Sequence, residues 1–500
     1  MPAKPTNSHT NAQRSPQRSP NILLITTDQH RGDCLGIAGH PAVMTPNLDS
    51  WFDTGAYFPR AYSEAPSCIP ARRTLISGQS PYGHDLPGYQ DRIPFNPPTT
   101  MMLELRNNGY QTMCSGKMHF SPQRKAHGFE KMVLHEGKQR FDDYIDDYEE
   151  WLRRKTQMSE RQHGMDSNSW MARPSQLPEE LHNTTWTVDQ AIELLRRRDP
   201  TRPFFLWVSF LRPHAPLDPP QVYWDMYKDA ELPQPPHSDW SMKHAVPPPL
   251  NPNAWQGYLN ERDQRRAQIG YYALITQIDH QIGRLFEEMG RLGCERETFS
   301  LITADHGEML GDHHLWRKSY AYEGSARVPF VMRFPRSGAL SDLPAGRAYQ
   351  QVVGLQDVMP TLLDVAGLDI PESVEGRSLL PVLRSGTGEG VAWRDCLHGE
   401  HADCYDPSES MHYLTDGKRK YIWFTLSGDE QFFNLEADPE ERYDLASDEN
   451  HAGEVAEWRQ RLIDRLGARD DGFSDGKKLI PQQFTLDRYI AKNGEIGVYD

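Results

Sequence analysis

The chain has 500 residues, of which 37% are hydrophobic and 25% are charged. This is enough apolar sequence for a large core, and the length exceeds what a single hydrophobic core usually supports. Its 54 Lys and Arg against 70 Asp and Glu give a formal charge of −16, which argues against nucleic acid or an anionic membrane as the main partner. No apolar run approaches a membrane span, and six scattered cysteines without a CxxC pair argue against a disulfide framework or structural zinc.

Residues 1–20 are polar and rich in Pro and Ser, without the apolar stretch of a secretory leader. We therefore predict a disordered lead-in followed by a protein that stays in the cytoplasm.

Short apolar runs that end abruptly in polar groups follow one another along residues 21–384. We predict buried strands over 21–29, 110–115 and 204–210, and a further strand in "TFSLITADHG". Helices are predicted between Thr99 or Thr100 and Gly109, by their capping residues, and over 265–291, where apolar residues recur at steps of three and four. Strands alternating with helices predict an α/β fold with a large, mostly parallel sheet sandwiched by helices.

The pattern changes beyond about residue 385. "MHYLTDGKRKYIWFTL" and "EQFFNLEADPEERYDLA" indicate antiparallel strands, and "AGEVAEWRQRLIDRLG" indicates one helix. We therefore predict a catalytic domain over 21–384 and a smaller α+β domain with an antiparallel sheet over 385–500. The acidic segment 141–155 and the Pro-rich run 213–252 are predicted to be long loops or insertions, and long loops in a compact domain are often functional lids.

Four predicted strands are each followed by coordinating or ionisable side chains. These are Asp28 and Gln29, Lys117 and His119, His214, and Asp305 and His306. A single Asp after a strand is more often a helix cap, and a single His is more often structural. Ligands of open α/β sheets bind beyond the carboxyl ends of the strands, so four such ends together favour a site.

The side chains of this predicted site divide into two chemical sets. The first set offers mainly oxygen donors with one nitrogen donor, and it consists of Asp28, Gln29, Asp305 and His306. Such donors suit a hard cation such as Ca²⁺, Mg²⁺ or Mn²⁺. Lys117 and His119 are two residues apart and face the same way in an extended chain. A cation and a proton carrier beside a metal suit an oxyanion substrate.

Cys68 opens the stretch "CIPARRTLISG", in which Pro70 suits the first turn of a helix and Gly78 suits its end. A thiol at a helix N-terminus has its pKa lowered by the dipole, and Arg72 lies one turn further on. One interpretation is a buried small residue before a short helix, which the local residues favour slightly. The other is a nucleophile or the precursor of one.

"CIPAR" resembles the C-x-P-x-R signature of type I sulfatases, members of the alkaline phosphatase superfamily. Further segments match that family in order over about residues 21–450: "NILLITTDQ", "TPNLD", "SGKMHF", "PHAPLDPP", "TADHGEMLGDHHLWRKSYAYEGSARVPF", "PTLLDVAG" and "FFNLEADPEERYDLA". Because so many further segments match the family in the same order, the match of the pentapeptide is not attributed to chance.

The resemblance implies that Cys68 is converted to formylglycine by a formylglycine-generating enzyme, and that the hydrated aldehyde attacks sulfur. The implied ligands of a divalent cation, foremost Ca²⁺ with Mn²⁺ and Mg²⁺ as alternatives, are Asp28, Gln29, Cys68, Asp305 and His306. In the same pattern Arg72 and Lys117 hold the hydrate, His119 takes a proton from its second hydroxyl, and His214 and Lys318 hold sulfate oxygens. A lysine in "WRKSY" could otherwise be plain surface charge.

Gln29 departs from the pattern, because many sulfatases carry a second aspartate there. A similar Asp-Gln pair occurs in the choline-sulfatase and phosphonate monoester hydrolase branches, which are bacterial and intracellular. The resemblance therefore implies a sulfatase acting on aryl or carbohydrate sulfate monoesters, or alternatively a phosphonate monoester or phosphodiester hydrolase on the same scaffold. A catalytically silent binding protein ranks below both, because every expected catalytic group is present.

The choice of ester is expected to depend on loops and on the C-terminal domain. The segment "LHGEHADCYDPSESMHY" is a candidate for reaching over the pocket, with His401, Tyr405 and His412 as its candidate contacts. The C-terminal tail is a candidate surface for pairing with a second copy of the chain.

Overall fold

The computed structural model describes residues 19–137, 144–247, 251–338 and 340–493. Its strands are β1 (Asn21–Asp28), β2 (Gly55–Tyr57), β3 (Ala61–Tyr62), β4 (Gln111–Gly116), β5 (Lys131–Leu134), β6 (Phe204–Pro213), β7 (Thr298–Ala304), β8 (Phe330–Arg333), β9 (Arg347–Ala348), β10 (Val353–Gly354), β11 (Leu397–His401), β12 (Met411–Thr415), β13 (Arg419–Phe424) and β14 (Glu430–Asn434). Its helices are α1 (Pro46–Asp53), α2 (Cys68–Ser77), α3 (Met101–Asn107), α4 (Asp147–Thr156), α5 (Asn183–Arg196), α6 (Gln221–Tyr227), α7 (Glu261–Arg291), α8 (Glu323–Ala326), α9 (Val358–Val365), α10 (Leu380–Ser385), α11 (Ala452–Gly467) and α12 (Asp487–Asn493).

The large sheet has the strand order β5-β4-β6-β1-β7-β8-β2-β9. Its neighbours pair in parallel except at β8, which is antiparallel to both β7 and β2. All eight residues of the central strand β1 are buried, because apolar clusters cover both faces of the sheet. Ile22 and Leu24 pack into one cluster, whereas Leu23 and Ile25 pack into the other. This confirms the predicted mostly parallel sheet between helical layers.

The second of these layers includes α7, whose apolar residues repeat at helical spacing. Its Ile278, Ile282, Leu285 and Met289 join the cluster that covers one face of β1 and β6. The predicted helix over 265–291 is therefore confirmed, and it starts one turn earlier because Asn260 caps it by accepting the N–H of Asp263. In the described part of the chain no helix is long and apolar enough to cross a membrane.

The prediction of a loop over the acidic segment was wrong for residues 147–155, which belong to α4. Asp146 caps this helix by accepting the N–H groups of Tyr148 and Glu149. Its first turn is acidic and its last turn basic, which complements the helix dipole. Tyr148 and Leu152 are buried, so tertiary packing also holds the helix. Residues 141–143 of the predicted loop, like residues 1–18 of the predicted lead-in, lie outside the described residues.

The prediction of a continuous loop over the Pro-rich run was also wrong. β6 extends to Pro213, and α6 lies within the run. This helix forms because Tyr223, Trp224 and Tyr227 bury one face against the cluster that contains Tyr271 of α7. Residues 248–250 of the run lie outside the described residues.

His135, directly after β5, joins the region around α4 to the sheet through two buried carboxylates. Its Nδ1 lies 3.1 Å from Asp146 Oδ1, and its Nε2 lies 3.3 Å from Glu160 Oε2. Burial alone would lower the pKa of His135, but the two carboxylates raise it from 6.5 to about 10. The imidazolium therefore stabilises the fold in full below about pH 6.5, and this stabilisation is lost as the pH rises toward 10.

We expect the free energy of unfolding in urea to fall by a few kcal/mol between about pH 6.5 and about pH 9.5 on account of this group. The measurement compares the wild type with His135→Gln. The difference in stability between the two proteins should shrink as the pH rises. Parallel pH profiles would contradict the assignment.

The C-terminal strands form a separate antiparallel sheet in the order β11-β12-β13-β14, as predicted. Helix α11 covers one face, with Trp458 and Leu462 packed against Trp423 and Phe432. The sheet is tied to the N-terminal part of the chain by the buried hydroxyl of Tyr413, which donates to the carbonyl of Ser63 at 2.6 Å. The boundary at residue 385 stays a prediction.

Candidate active site

The carboxyl ends of four adjacent parallel strands, β4, β6, β1 and β7, lie at one edge of the large sheet. Asp28 is the last residue of β1, and Lys117, His214 and Asp305 directly follow β4, β6 and β7. Their backbones are joined across the sheet, since the N–H of His214 donates to the carbonyl of Asp28 at 3.0 Å. The structure therefore brings together the strand-end side chains that the sequence predicts as one site.

Cys68 is the first residue of α2, as the sequence predicts. Ser67 before it is extended, and Gly78 ends the helix in the left-handed region with φ 67°, where glycine is favoured. All ten residues of α2 are buried, and Cys68 is only 2% exposed. The helix thus points its N-terminus, with the thiol, at the strand ends from inside the protein.

The four residues that could hold a metal are Asp28, Cys68, Asp305 and His306. Each offers one ligand atom, and these atoms lie within 4.8 Å of one another. The Cys68 Sγ is 3.2 Å from His306 Nε2 and 3.6 Å from Asp28 Oδ1. Two carboxylates and an imidazole around a buried centre fit a divalent cation that prefers oxygen donors.

The two carboxylates of this cluster have opposite pKa shifts. Burial would raise the pKa of Asp28, but Lys117, His214 and Arg72 hold it well below its usual range. Burial and the Asp28 charge raise the pKa of Asp305. A bound cation would relieve the repulsion between these carboxylates, which is a further reason that the donor set fits a metal.

Gln29, the remaining predicted ligand, lies at the same edge with a positive φ of 70°. Its backbone N–H donates to Asp305 Oδ1 at 3.1 Å, and its side-chain Oε1 accepts from Lys318 Nζ at 2.7 Å. The amide oxygen of Gln29 is therefore on the side of the site that carries Lys318.

Arg72 is buried beneath the cluster and joins its parts. Its Nε donates to Asp305 Oδ2 at 2.9 Å, and its guanidinium lies 3.7 Å from Asp28 Oδ2. A third contact runs from its Nη1 to the backbone carbonyl of Lys117 at 2.7 Å. Ser209 of β6, which the sequence analysis did not single out, accepts from the same Nη1 at 3.0 Å. Arg72 thus neutralises both carboxylates and fixes the end of β4.

The thiol of Cys68 lies in a cationic environment. Burial and Asp28 would raise its pKa, but Lys318, Lys117 and His306 outweigh them and lower it well below the usual value of a thiol. Lys117 Nζ donates to Asp28 Oδ2. The environment therefore stabilises negative charge at residue 68 and at a group bound beside it.

The remaining predicted residues surround the open side of this cluster. The Nδ1–H of His214 donates to the carbonyl of Ala215 at 2.8 Å, which leaves Nε2 to accept from Lys318 Nζ at 2.7 Å. Burial and Lys318 lower the pKa of His214, so its ring is neutral. Burial likewise lowers the pKa of Lys318. His119 is held by its backbone N–H, which donates to Glu136 Oε1 at 3.0 Å.

A cavity of about 560 Å³ opens from the cluster and is lined by residues from both sheets. His401 and Tyr405, candidates from the sequence, line it, whereas His412 lies outside it against Trp423 and Phe484 in the C-terminal core. His401 Nε2 is 2.9 Å from Ser67 Oγ, the residue before Cys68. No motif in the sequence indicated that contact, since it joins residues far apart in the chain.

A family model described as Sulfatase matches residues 20–368. A second model, described as N-sulphoglucosamine sulphohydrolase, C-terminal, matches residues 311–467. The two matches together extend from the start of β1 to the end of α11.

An arylsulfatase of Clostridium perfringens (strain 13 / Type A) is 42% identical over 475 residues, covering 92% of this chain and 97% of the relative. A choline-sulfatase of Rhizobium meliloti (strain 1021) is 31% identical, covering 87% and 84%. The crystal structure of a phosphonate monoester hydrolase of Agrobacterium radiobacter superposes with a TM-score of 0.75 at 26% identity, covering 90% of this chain and 95% of that one. Each comparison spans the greater part of both chains.

Proposed function

Because the chain belongs to the sulfatase family and is a sulfuric ester hydrolase, we propose that it cleaves aryl or carbohydrate sulfate monoesters through a formylglycine made from Cys68. The observation that carries the proposal is the position of the Cys68 Sγ, within 4.8 Å of the donor atoms of Asp28, Asp305 and His306. A nucleophile at residue 68 would act beside a metal site and beneath a cavity that admits an ester.

The metal in this proposal is a divalent cation, Ca²⁺ first and Mn²⁺ or Mg²⁺ as alternatives, held by Asp28, Gln29, residue 68, Asp305 and His306. When bound, it would polarise the sulfuryl oxygens, and the hydrated aldehyde at residue 68 would supply the attacking oxygen. Both acidic ligands have compensating cations, since Asp305 pairs with Arg72 and Asp28 with Lys117.

The remaining roles follow from where each side chain lies. Lys117 and Arg72 would hold the oxygen atoms at residue 68, because both cations are close enough to Cys68 to act on its charge. Burial and Lys117 lower the pKa of His119, so its neutral ring can accept a proton from an oxygen at residue 68. Lys318 and His214 form a hydrogen-bonded pair on the cavity side, where they would bind sulfate oxygens and assist the leaving group.

The alternative function is hydrolysis of phosphonate monoesters or phosphodiesters on the same scaffold. It is favoured by one observation, the amide of Gln29 where many sulfatases have a carboxylate, together with the similarity to a phosphonate monoester hydrolase structure. Sulfate monoesters and phosphonate monoesters both carry one negative charge, so charge alone does not separate the two functions.

We expect kcat/KM for an aryl sulfate to exceed that for the matching aryl phosphonate monoester by at least about tenfold, or about 1.4 kcal/mol. The purified protein is first digested and the peptide containing Cys68 is weighed by mass spectrometry, which shows whether the thiol has been replaced by an aldehyde. Both esters are then assayed on the same preparation. A higher kcat/KM for the phosphonate would make the alternative the main function.

Maturation by a formylglycine-generating enzyme and a cytoplasmic location complete the proposal. For its partners, we propose a small or saccharide sulfate ester as substrate and neither nucleic acid nor a membrane.

A further inference from the structure

The carboxylate of Glu308 lies directly behind Gln29 and is only 7% exposed. Its Oε2 accepts a hydrogen bond from Gln29 Nε2. Its Oε1 accepts two backbone N–H groups, from Leu310 at 2.9 Å and from Arg317 at 2.6 Å. Glu308 therefore contacts the candidate metal ligand at residue 29 and the segment that leads to Lys318.

The surroundings of Gln29 permit one orientation of its amide. On one side the ammonium of Lys318, which can only donate, lies 2.7 Å from the side-chain oxygen. On the other side the carboxylate of Glu308, which accepts when ionised, faces the side-chain nitrogen. Turning the amide over would set its NH₂ group against an ammonium and its oxygen against a carboxylate. Lys318 and Glu308 together keep the oxygen of Gln29 on the side that carries Lys318.

The backbone at Lys318 also depends on Glu308. Arg317 and Ser319, the neighbours of Lys318, have positive φ values of 71° and 80°, which cost energy for residues other than glycine. The hydrogen bond from the Arg317 N–H to Glu308 Oε1, with that from the Met309 N–H to the Arg317 carbonyl at 2.8 Å, holds this strained turn.

The pair also places a charge near the site. The side chain of Gln29 is neutral. Glu308, which is hydrogen-bonded to Gln29, places a negative charge behind it, further than Gln29 from the cluster of Asp28 and Asp305. Groups that hydrogen-bond to a metal ligand orient it and change its affinity for the metal. A ligand amide polarised by an adjacent carboxylate is a better oxygen donor than one that faces solvent.

We propose that Glu308 is a positioning residue that fixes the amide of Gln29 with its oxygen toward the metal. The part concerning the metal rests on the proposed function, in which Gln29 is a ligand. The part concerning the orientation of the amide holds for the protein without metal.

An isosteric exchange tests this pair. Gln29→Glu sets two carboxylates in contact. In Glu308→Gln the single amide oxygen can face either Gln29 Nε2 or the N–H groups of Leu310 and Arg317, so one of these two sets of donors faces an NH₂ group. The double variant restores one donor and one acceptor with the net charge of the wild type. For the full-length protein, melting temperatures are measured without metal, and dissociation constants are measured with Ca²⁺ and with Mn²⁺ separately. We expect each single variant to melt lower than the wild type and the double variant to return close to it. Glu308→Gln, in which the amide of Gln29 is no longer held by a carboxylate, is expected to bind metal more weakly, by about tenfold.

If the effects of the two substitutions on the melting temperature and on the affinity for metal are additive, the proposal is overturned, because Glu308 would then only support the backbone of the turn. The matched control is Asp312→Asn, which alters another buried carboxylate of the same segment. Asp312 pairs with Arg31 at 2.6 Å, and its substitution is expected to lower the melting temperature without changing the affinity for metal. A wild type that binds neither cation would remove the metal from the proposed function, while the melting temperatures would still decide whether Gln29 and Glu308 are coupled.

Discussion

Replacing Cys68 by alanine is expected to lower kcat for an aryl sulfate by about four orders of magnitude or more, because it removes the nucleophile at its source. The side chain is buried at the N-terminus of α2, with its Sγ 3.2 Å from His306 Nε2, and no other thiol shares this position in the described residues. Steady-state assays at saturating substrate measure the loss. Because alanine is small and Cys68 makes few hydrogen bonds, the melting temperature should change little.

Cys404 provides the matched control, since it lines the same cavity from the C-terminal part of the chain. Its Sγ contacts the carbonyl of Ser319 and the ring of His401, at 3.3 Å and 3.2 Å. We expect Cys404→Ala to keep kcat within a few-fold of the wild type. Undiminished turnover of Cys68→Ala would refute the mechanism, whatever Cys404→Ala does.

Arg72→Ala is expected to destabilise the metal-free protein by about 3–5 kcal/mol and to abolish most of its activity. The guanidinium is 1% exposed and lies against Asp305 and Asp28, so its removal leaves two buried carboxylates with less compensation. Arg72→Lys keeps the charge but loses the guanidinium, whose N–H groups reach Asp305 and the Lys117 carbonyl at the same time. An intermediate loss of stability and activity is therefore expected. Urea unfolding and aryl sulfate turnover measure the two effects.

The next residue of the same helix, Arg73, separates an effect on the site from an effect on the fold. It is also buried, but it points to the carbonyl of Ile93 at 2.7 Å and stacks over the ring of Phe95. Arg73→Ala should therefore lower stability while the folded protein keeps its turnover. Equal losses of turnover in Arg72→Ala and Arg73→Ala would show that the activity depends on α2 as a whole and not on the Arg72 contacts.

The sheet and the convergence of the strand-end side chains were predictable because they depend on patterns that the chain repeats locally. A buried run such as 21–28 is apolar on both faces, and the parallel order then brings Asp28 and Asp305 to one edge. The resemblance to sulfatases supplied Lys318 as a candidate site residue and gave Arg72 a role, whereas spacing alone only placed Arg72 one turn after Cys68.

The parts that were not predicted depend on contacts between distant segments. Glu308 follows Asp305 by three residues and looks like an ordinary acidic residue, until the fold places Gln29 against it. α4 escaped prediction because its acidic sequence carries only a narrow apolar face, formed by Tyr148 and Leu152. His401 reaches Ser67 only because the C-terminal sheet packs on the large one.

The burial of α2 limits when another protein can reach Cys68. Cys68 is 2% exposed, and Ser67 before it is held by His401 of the last sheet, so the completed fold encloses this segment from both sides. If Cys68 is converted to formylglycine as proposed, the modifying enzyme would need to reach the segment before residues 397–401 pack against Ser67. On this proposal, protein that has already folded with a thiol at residue 68 is expected to gain no activity on later incubation with the modifying enzyme.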